Sequence, residues 1–145
     1  MSAKLADEIM GAEYDWLGCD GDGNVALFST AGGGYAPDEF LRDPDAHAGA
    51  IEAILALQAT TTARFAPELA TQYINIWRLV AERGLFAFDA DINGGPYGLV
   101  AAPEVATPAD KLPPAAIPVL RSLTFQQLRF ADLATVSEQV LREGR

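Results

Sequence analysis

Tyr14-Asp15-Trp16-Leu17-Gly18-Cys19-Asp20-Gly21-Asp22-Gly23-Asn24-Val25-Ala26-Leu27-Phe28-Ser29-Thr30, followed by Ala31-Gly32-Gly33-Gly34-Tyr35, holds two apolar runs joined by a turn. A two-residue period puts Tyr14 and Trp16 on one face of the first run and Leu17 and Cys19 on the other. It likewise separates Val25 and Leu27 from Ala26 and Phe28. Both faces are apolar, so the strand pair is expected to be covered on each side. The Asp-Gly-Asp-Gly-Asn run reverses the chain, because Asp and Asn bond their own backbone and Gly accepts positive φ. The three glycines that follow read as a flexible bend.

Working outward, Leu85 to Asp89 and Tyr97 to Ala102 read as a second strand pair, joined by Asp91-Ile92-Asn93-Gly94-Gly95-Pro96, where Asn-Gly is the hairpin signal. Between the pairs lie two helices. Asp43-Pro44 opens the first, with Asp as cap and Pro at the first helical position, and it runs through Ile51, Ile54, Leu55 and Leu57. The second begins near Pro67, carries the stripe Leu69, Tyr73, Ile76, Trp77 and Val80, and stops at Gly84. Ser2 is a cap for a short first helix ending at Gly11. Pro103, Pro108, Pro113, Pro114 and Pro118 make the next stretch irregular. Leu123 to Phe130 reads as a last strand, and Thr135-Val136-Ser137-Glu138 is a capping box opening a C-terminal helix that Gly144 ends. The fold class expected is α+β: an antiparallel sheet of two hairpins with a further strand, packed on two central helices, with a short C-terminal helix.

The chain has 145 residues, half of them hydrophobic, and is expected to form one domain over residues 1–145. No apolar run is long enough to span a bilayer, and the N-terminus lacks the apolar core of a signal peptide. The lone Cys19 fits a reduced, cytoplasmic protein. Net charge is −10, and it is uneven. Residues 1–60 hold eleven acids against Lys4 and Arg42, a net of −9, whereas the remainder carries −1. Such a field disfavours nucleic acid and anionic lipid and favours a basic partner; acidity also keeps small proteins soluble. Exposed hairpin edges leave a homodimer open.

Several motifs carry chemistry in other settings. Asp20-Gly21-Asp22-Gly23-Asn24 and Asp89-Ala90-Asp91-Ile92-Asn93-Gly94 echo the start of a calcium loop, with Asp89, Asp91 and Asn93 as the better ligand set. Val100 stands where the second loop needs its bidentate Glu, so turn chemistry is the preferred reading and no metal or cofactor is expected. Gly32-Gly33-Gly34 lacks the lysine of a phosphate loop. His47 is the only histidine, and a lone His does not make a zinc site. It is a base in principle for Cys19, although a packed thiol in a strand is ordinary. Paired carboxylates for acid/base hydrolysis are compatible with a chain this acidic. Tyr73 and Trp77 lie on the helix stripe and read as core. Trp16, Tyr35 and Tyr97 lie near turns, where an aromatic ringed by acids is either a binding anchor or a plug for the end of the core.

The run Tyr14 to Asp20 through Phe28-Ser29-Thr30-Ala31-Gly32, with Gly84-Leu85-Phe86-Ala87-Phe88-Asp89 and Tyr97 to Pro103, resembles a group of small bacterial proteins, some similar to immunity proteins of polymorphic toxin systems. The resemblance implies a non-enzymatic inhibitor that occludes a toxin's active site. It brings no catalytic residues. Together with the acidity, it makes a basic protein the expected partner, met by Trp16, Asp20, Asp22, Tyr35, Asp38 and Glu39. The alternative expectation is a regulatory domain that binds a small molecule or metal ion between sheet and helices.

Overall fold

The computed structural model describes residues 3–65 and 75–145. It is a mixed α+β arrangement built on a seven-stranded sheet. Strands β1 (Asp15–Asp20) and β2 (Val25–Ser29) pair antiparallel, with Trp16 opposite Phe28 and Leu17 opposite Leu27. Strands β4 (Phe86–Asp89) and β5 (Tyr97–Pro103) also pair antiparallel, with a register shift between Ala87 and Phe88. β3 (Ala63–Phe65) adds to the far side of β5, β6 (Thr124–Phe125) to β1, and β7 (Thr135–Val136) to the start of β5.

The expected all-antiparallel sheet is corrected at two seams. β2 runs parallel to β4, and β1 runs parallel to β6. Between β2 and β4 the chain passes through helices and through β3 at the sheet's far edge, a long connection that lets β4 return beside β2 in the same direction. α2 (Asp38–Arg42), α3 (Pro44–Leu55) and α4 (Ile76–Ala81) lie within that connection. The expected start of α4 near Pro67, with Leu69 and Tyr73, falls outside the described residues, as does Ser2. Within them, Asn75 caps α4 by accepting the Arg78 N–H at 2.9 Å.

Three further elements differ from expectation. The proline-rich stretch contains a helix, α5 (Ile117–Ser122), because Pro118 falls in its first turn, where no amide is needed. Only Thr124–Phe125 of the expected last strand pairs; the chain then turns into a 3₁₀ segment at Phe130–Asp132. Ser137, not Thr135, caps the C-terminal helix α6 (Glu138–Glu143), and this frees Thr135–Val136 to pair with β5. At the other end, α1 (Ala6–Ile9) is closed by the Glu8 carboxylate accepting the Leu5 N–H.

Alternation sorts the sheet into two cores. Leu17, Val25, Leu27, Ala87 and Ala101 face α3, α4 and α5, packing on Ile54, Val80 and Leu120. Trp16, Phe28 and Phe88 face the other way, beneath Phe130, Val136 and Leu141. Their rings form a ladder across three strands: Trp16 to Phe28 at 4.1 Å between centroids, Phe28 to Phe88 at 5.2 Å, each pair nearly coplanar in tilt. Tyr97 stands edge-on at 5.1 Å from Phe28, and Phe130 at 5.8 Å.

Asp20 ties the hairpin to the C-terminal region. Its Oδ1 accepts the N–H groups of Asp22 and Asn24, and its Oδ2 accepts that of Phe130 at 2.8 Å. The residue is 2 % exposed. Asp20→Ala leaves the Phe130 amide without its acceptor in the interior. It is expected to lower unfolding stability by about 3–5 kcal/mol in urea titration, with Asp22→Ala, on the exposed tip, nearly neutral.

Candidate functional site

The six residues expected at a partner contact separate into three environments. Trp16 and Asp20 are interior. Trp16 has no exposed surface; its Nε1–H donates to the Tyr97 hydroxyl at 3.1 Å, and that hydroxyl donates to the Tyr35 carbonyl at 2.6 Å. Tyr97 is likewise buried, so these two aromatics hold the glycine-rich bend in place and present no anchor at the surface. Burial and alternation explain this: Trp16 belongs to the ladder face, where a large ring gains most from being covered. Asp22 is exposed at the hairpin tip, 3.6 Å from Arg129.

Tyr35, Asp38 and Glu39 gather at the opposite end of the strands, roughly 20 Å from that tip by strand rise. Tyr35 is half-buried with the Arg142 guanidinium 4.7 Å above its ring. Asp38 is exposed in the first turn of α2. Glu39 pairs with Arg145. Burial alone pushes its carboxyl up, but the Arg145 bond and charge outweigh that and hold it below the usual range.

Two grooves flank the N-terminal segment at this end. One, of about 270 Å³, runs along Gly32, Gly33 and Gly34, with Tyr35, Asp38 and Met10 in its walls. These glycines are required by crowding: a Cβ on Gly33 would stand 2.3 Å from the Ile92 carbonyl oxygen, and one on Gly34 2.8 Å from the Tyr97 hydroxyl. Met10 and Ile92 are 69 % and 67 % exposed, large apolar side chains standing at the trough in water. Asp7, Asp38 and Glu138 line the trough together with Arg142, and Glu8 and Asp91, beside it in sequence, are exposed. The second groove, of about 540 Å³, has Tyr14 and Ile51 in its floor and the carboxylates of Glu13, Asp15, Asp45 and Glu52 about it.

Asp15 begins a polar row across the helix-facing side of the sheet. Register sets Asp15 opposite Ser29 and Ser29 opposite Asp89. Ser29 Oγ donates to Asp15 at 2.6 Å and accepts the Trp77 indole N–H at 3.0 Å. Burial raises the Asp15 carboxyl, the Ser29 bond opposes this, and Glu13 adds to the rise. Asp89 is pushed up to about 6 by burial, then by Glu13 and Asp15. The two Asp carboxyls lie two strand spacings apart, about 9–10 Å, but the bonded Ser29 hydroxyl fills the space between them. The row therefore forms an acidic floor whose carboxyls give up their protons less readily than free ones.

The turn reading of the calcium-like loops accounts for their bonds. Asp91 Oδ1 accepts the Asn93 N–H at 2.7 Å, while Asp89 belongs to the polar row. Among the described residues no group of three or more His, Cys, Asp or Glu side chains is arranged to hold a metal ion. Cys19 and His47 serve separate roles. The buried thiol is pushed up to about 11, chiefly by burial and then by Asp20, so it stays protonated. His47 is 2 % exposed and accepts the Leu17 N–H at Nδ1, 3.0 Å away.

Met10 was not legible as a surface residue in the sequence, because it shares a side of the short first helix with Leu5 and Ile9. Ile92 did carry a signal, an isoleucine within an Asp-Asn-Gly turn. Glu13, Asp15 and Asp89 are brought together only by strand register. No family model, curated protein or solved structure matches the chain. No described helix is long and apolar enough to cross a membrane.

One half-buried group and one buried group give opposing pH signatures. Asp89 titrates higher folded than free, so its contribution is lost as pH rises from about 4 to about 6. His47 is held down to about 4, mainly by burial, so its contribution is lost as pH falls from 6.5 toward 4. Asp89→Asn is expected to raise the melting temperature at pH 7.5 by about 3 °C, after allowing for solvent screening of a half-exposed carboxyl. At pH 4 it leaves the melting temperature unchanged, and thermal melts across pH 4–8 then show a steeper acid loss than in the wild type.

Proposed function

We propose that the chain is a non-enzymatic, acidic protein-binding module, most concretely an immunity-type inhibitor of a cognate bacterial toxin with a basic surface. The observation that carries this reading is the pair of exposed apolar side chains, Met10 and Ile92, beside a glycine trough whose lining carries Asp7, Asp38 and Glu138 against Arg142. Large apolar groups in water cost free energy that a partner recovers by covering them. A net acidic lining selects a partner of opposite charge and speeds its encounter. Asp38 and Tyr35 are the expected contact residues that remain at this surface, joined by Asp7, Glu8 and Asp91. The polar row of Asp15 and Asp89 and the carboxylates Glu13 and Glu52 extend the same field along the second groove.

The division of labour follows from the chemistry. Carboxylates at the rim steer, while Met10, Ile92 and the Tyr35 ring supply contact area that sets residence time. A ligand-binding regulatory role, the second reading, draws on a different part of the molecule, the helix face over His47.

Capture from host lysate at low and high salt identifies the partner, and binding kinetics then test the reading. With Asp7, Asp38 and Asp91 changed to Lys, the association rate at low salt is expected to drop at least about tenfold, with dissociation little changed. Met10→Ala with Ile92→Ala is expected to raise the dissociation rate instead. Unchanged kinetics in both variants would remove this surface from the interaction. Failure to protect cells that co-express a captured toxin would remove the inhibitor role.

A further inference from the structure

The two ring nitrogens of His47 have different fates. Nδ1 accepts the Leu17 amide, on the stretch of β1 that β6 is too short to reach. A ring nitrogen that accepts a backbone N–H carries no proton, so in the neutral imidazole the proton is on Nε2. Burial keeps the ring neutral at pH 7, against a smaller opposite pull from Asp43. Nε2 has no hydrogen-bond partner among the described residues, although no buried side-chain nitrogen or oxygen there is left without one. Nε2 therefore keeps a narrow accessible surface, on a ring that is 2 % exposed overall and packs edge-on against Phe40 at 5.1 Å between centroids. His47 lines a groove of about 540 Å³ between α3 and α5.

The walls are Ala46, Gly49 and Ala50 from α3 and Pro118 and Val119 from α5, small and mostly apolar. Charge at the rim cancels: Glu39 is met by Arg145, and Arg42 balances Asp43, whose Oδ1 also caps α3 through the Ala46 N–H. The groove thus presents one fixed, neutral donor at the base of an apolar trough, in the size range of small-molecule sites.

We propose that the groove between α3 and α5 binds a small uncharged carbonyl compound, an amide or ketone on a compact apolar body, whose oxygen accepts the Nε2–H of His47. A carboxylate ligand finds no net charge at the entrance, where Arg42 and Arg145 offset Glu39 and Asp43, and it loses its hydration on entering an apolar trough. A metal ion at Nε2 has to displace the ring proton while Nδ1 is held by the Leu17 amide, which leaves an imidazolate in an apolar wall. A neutral acceptor incurs neither cost. This inference uses none of Met10, Tyr35, Asp38 or Ile92 and stands independently of partner binding.

The test uses the ¹⁵N-labelled full chain with benzamide as probe and benzoate and toluene as comparators. Benzamide is expected to produce a saturable shift of the His47 Nε2 and Hε2 resonances, with smaller responses to toluene and benzoate. Two variants fill the groove without touching the Leu17 bond. Ala115→Trp does so from an exposed position, and Gly49→Leu from a helix site where a Cβ meets nothing within 4 Å. In whichever of them keeps the wild-type melting temperature, the benzamide shift is expected to disappear while the Nδ1 resonance stays in place. Absence of a benzamide shift up to the probe's solubility overturns the proposal. So does an equal response to all three probes, or a shift that survives in a folded groove-filling variant.

Discussion

The stack of Trp16 on Phe28 on Phe88 is the interaction on which the other features depend. It runs across β1, β2 and β4, so it spans the seam where one antiparallel pair meets the other in parallel. Offset rings in contact gain about 0.5–1.5 kcal/mol per pair beyond the area they bury, and three in register leave no room for a slipped strand. A one-residue slip would carry all three rings to the helix side and the leucines to the aromatic side. The ladder also supports Tyr97, and through its hydroxyl it holds the carbonyl of Tyr35 at the end of the glycine bend. The surface at that end is therefore built outward from the core.

Polar groups in the interior are placed with the same economy. Asp20 satisfies three amides, two in its own turn and one at the start of the 3₁₀ segment after β6. His47 completes the edge of β1 where no strand reaches. Ser29 links Asp15 to Trp77. Each replaces a missing backbone partner or joins two elements, which is how a buried polar side chain avoids an unpaired group. His47 differs in that one of its nitrogens is used up by the fold and the other is not.

Charge shows a similar separation between cause and place. Eleven acids in residues 1–60 gave the sign of the field but not its position. Asp20 is consumed by the interior, Asp22 and Glu39 are met by arginines, and Asp38 and Asp7 remain in water. Glu13 and Asp15 are joined by Asp89, from the far half of the chain, because β4 lies against β2. The acidic surface is thus composed by topology from residues that are distant in sequence.

Local chemistry in the amino-acid sequence determined the alternation of the two strand pairs, their Asp/Gly/Asn turns, the Asp43-Pro44 helix start and the overall acidity. Period, cap and turn preferences act over a few residues, so they can be read without knowing the partner. The tertiary structure alone decided that the pairs join in parallel, that a helix occupies the proline-rich stretch, and that Trp16 is inside while Met10 is outside. Those outcomes rest on which faces meet across the crossover. Burial of a ring or exposure of a methionine is a property of the packed neighbours, which local pattern does not contain. His47 illustrates the division: its helix was legible from Asp43-Pro44, but its role required Leu17, thirty residues away, to lack a strand partner.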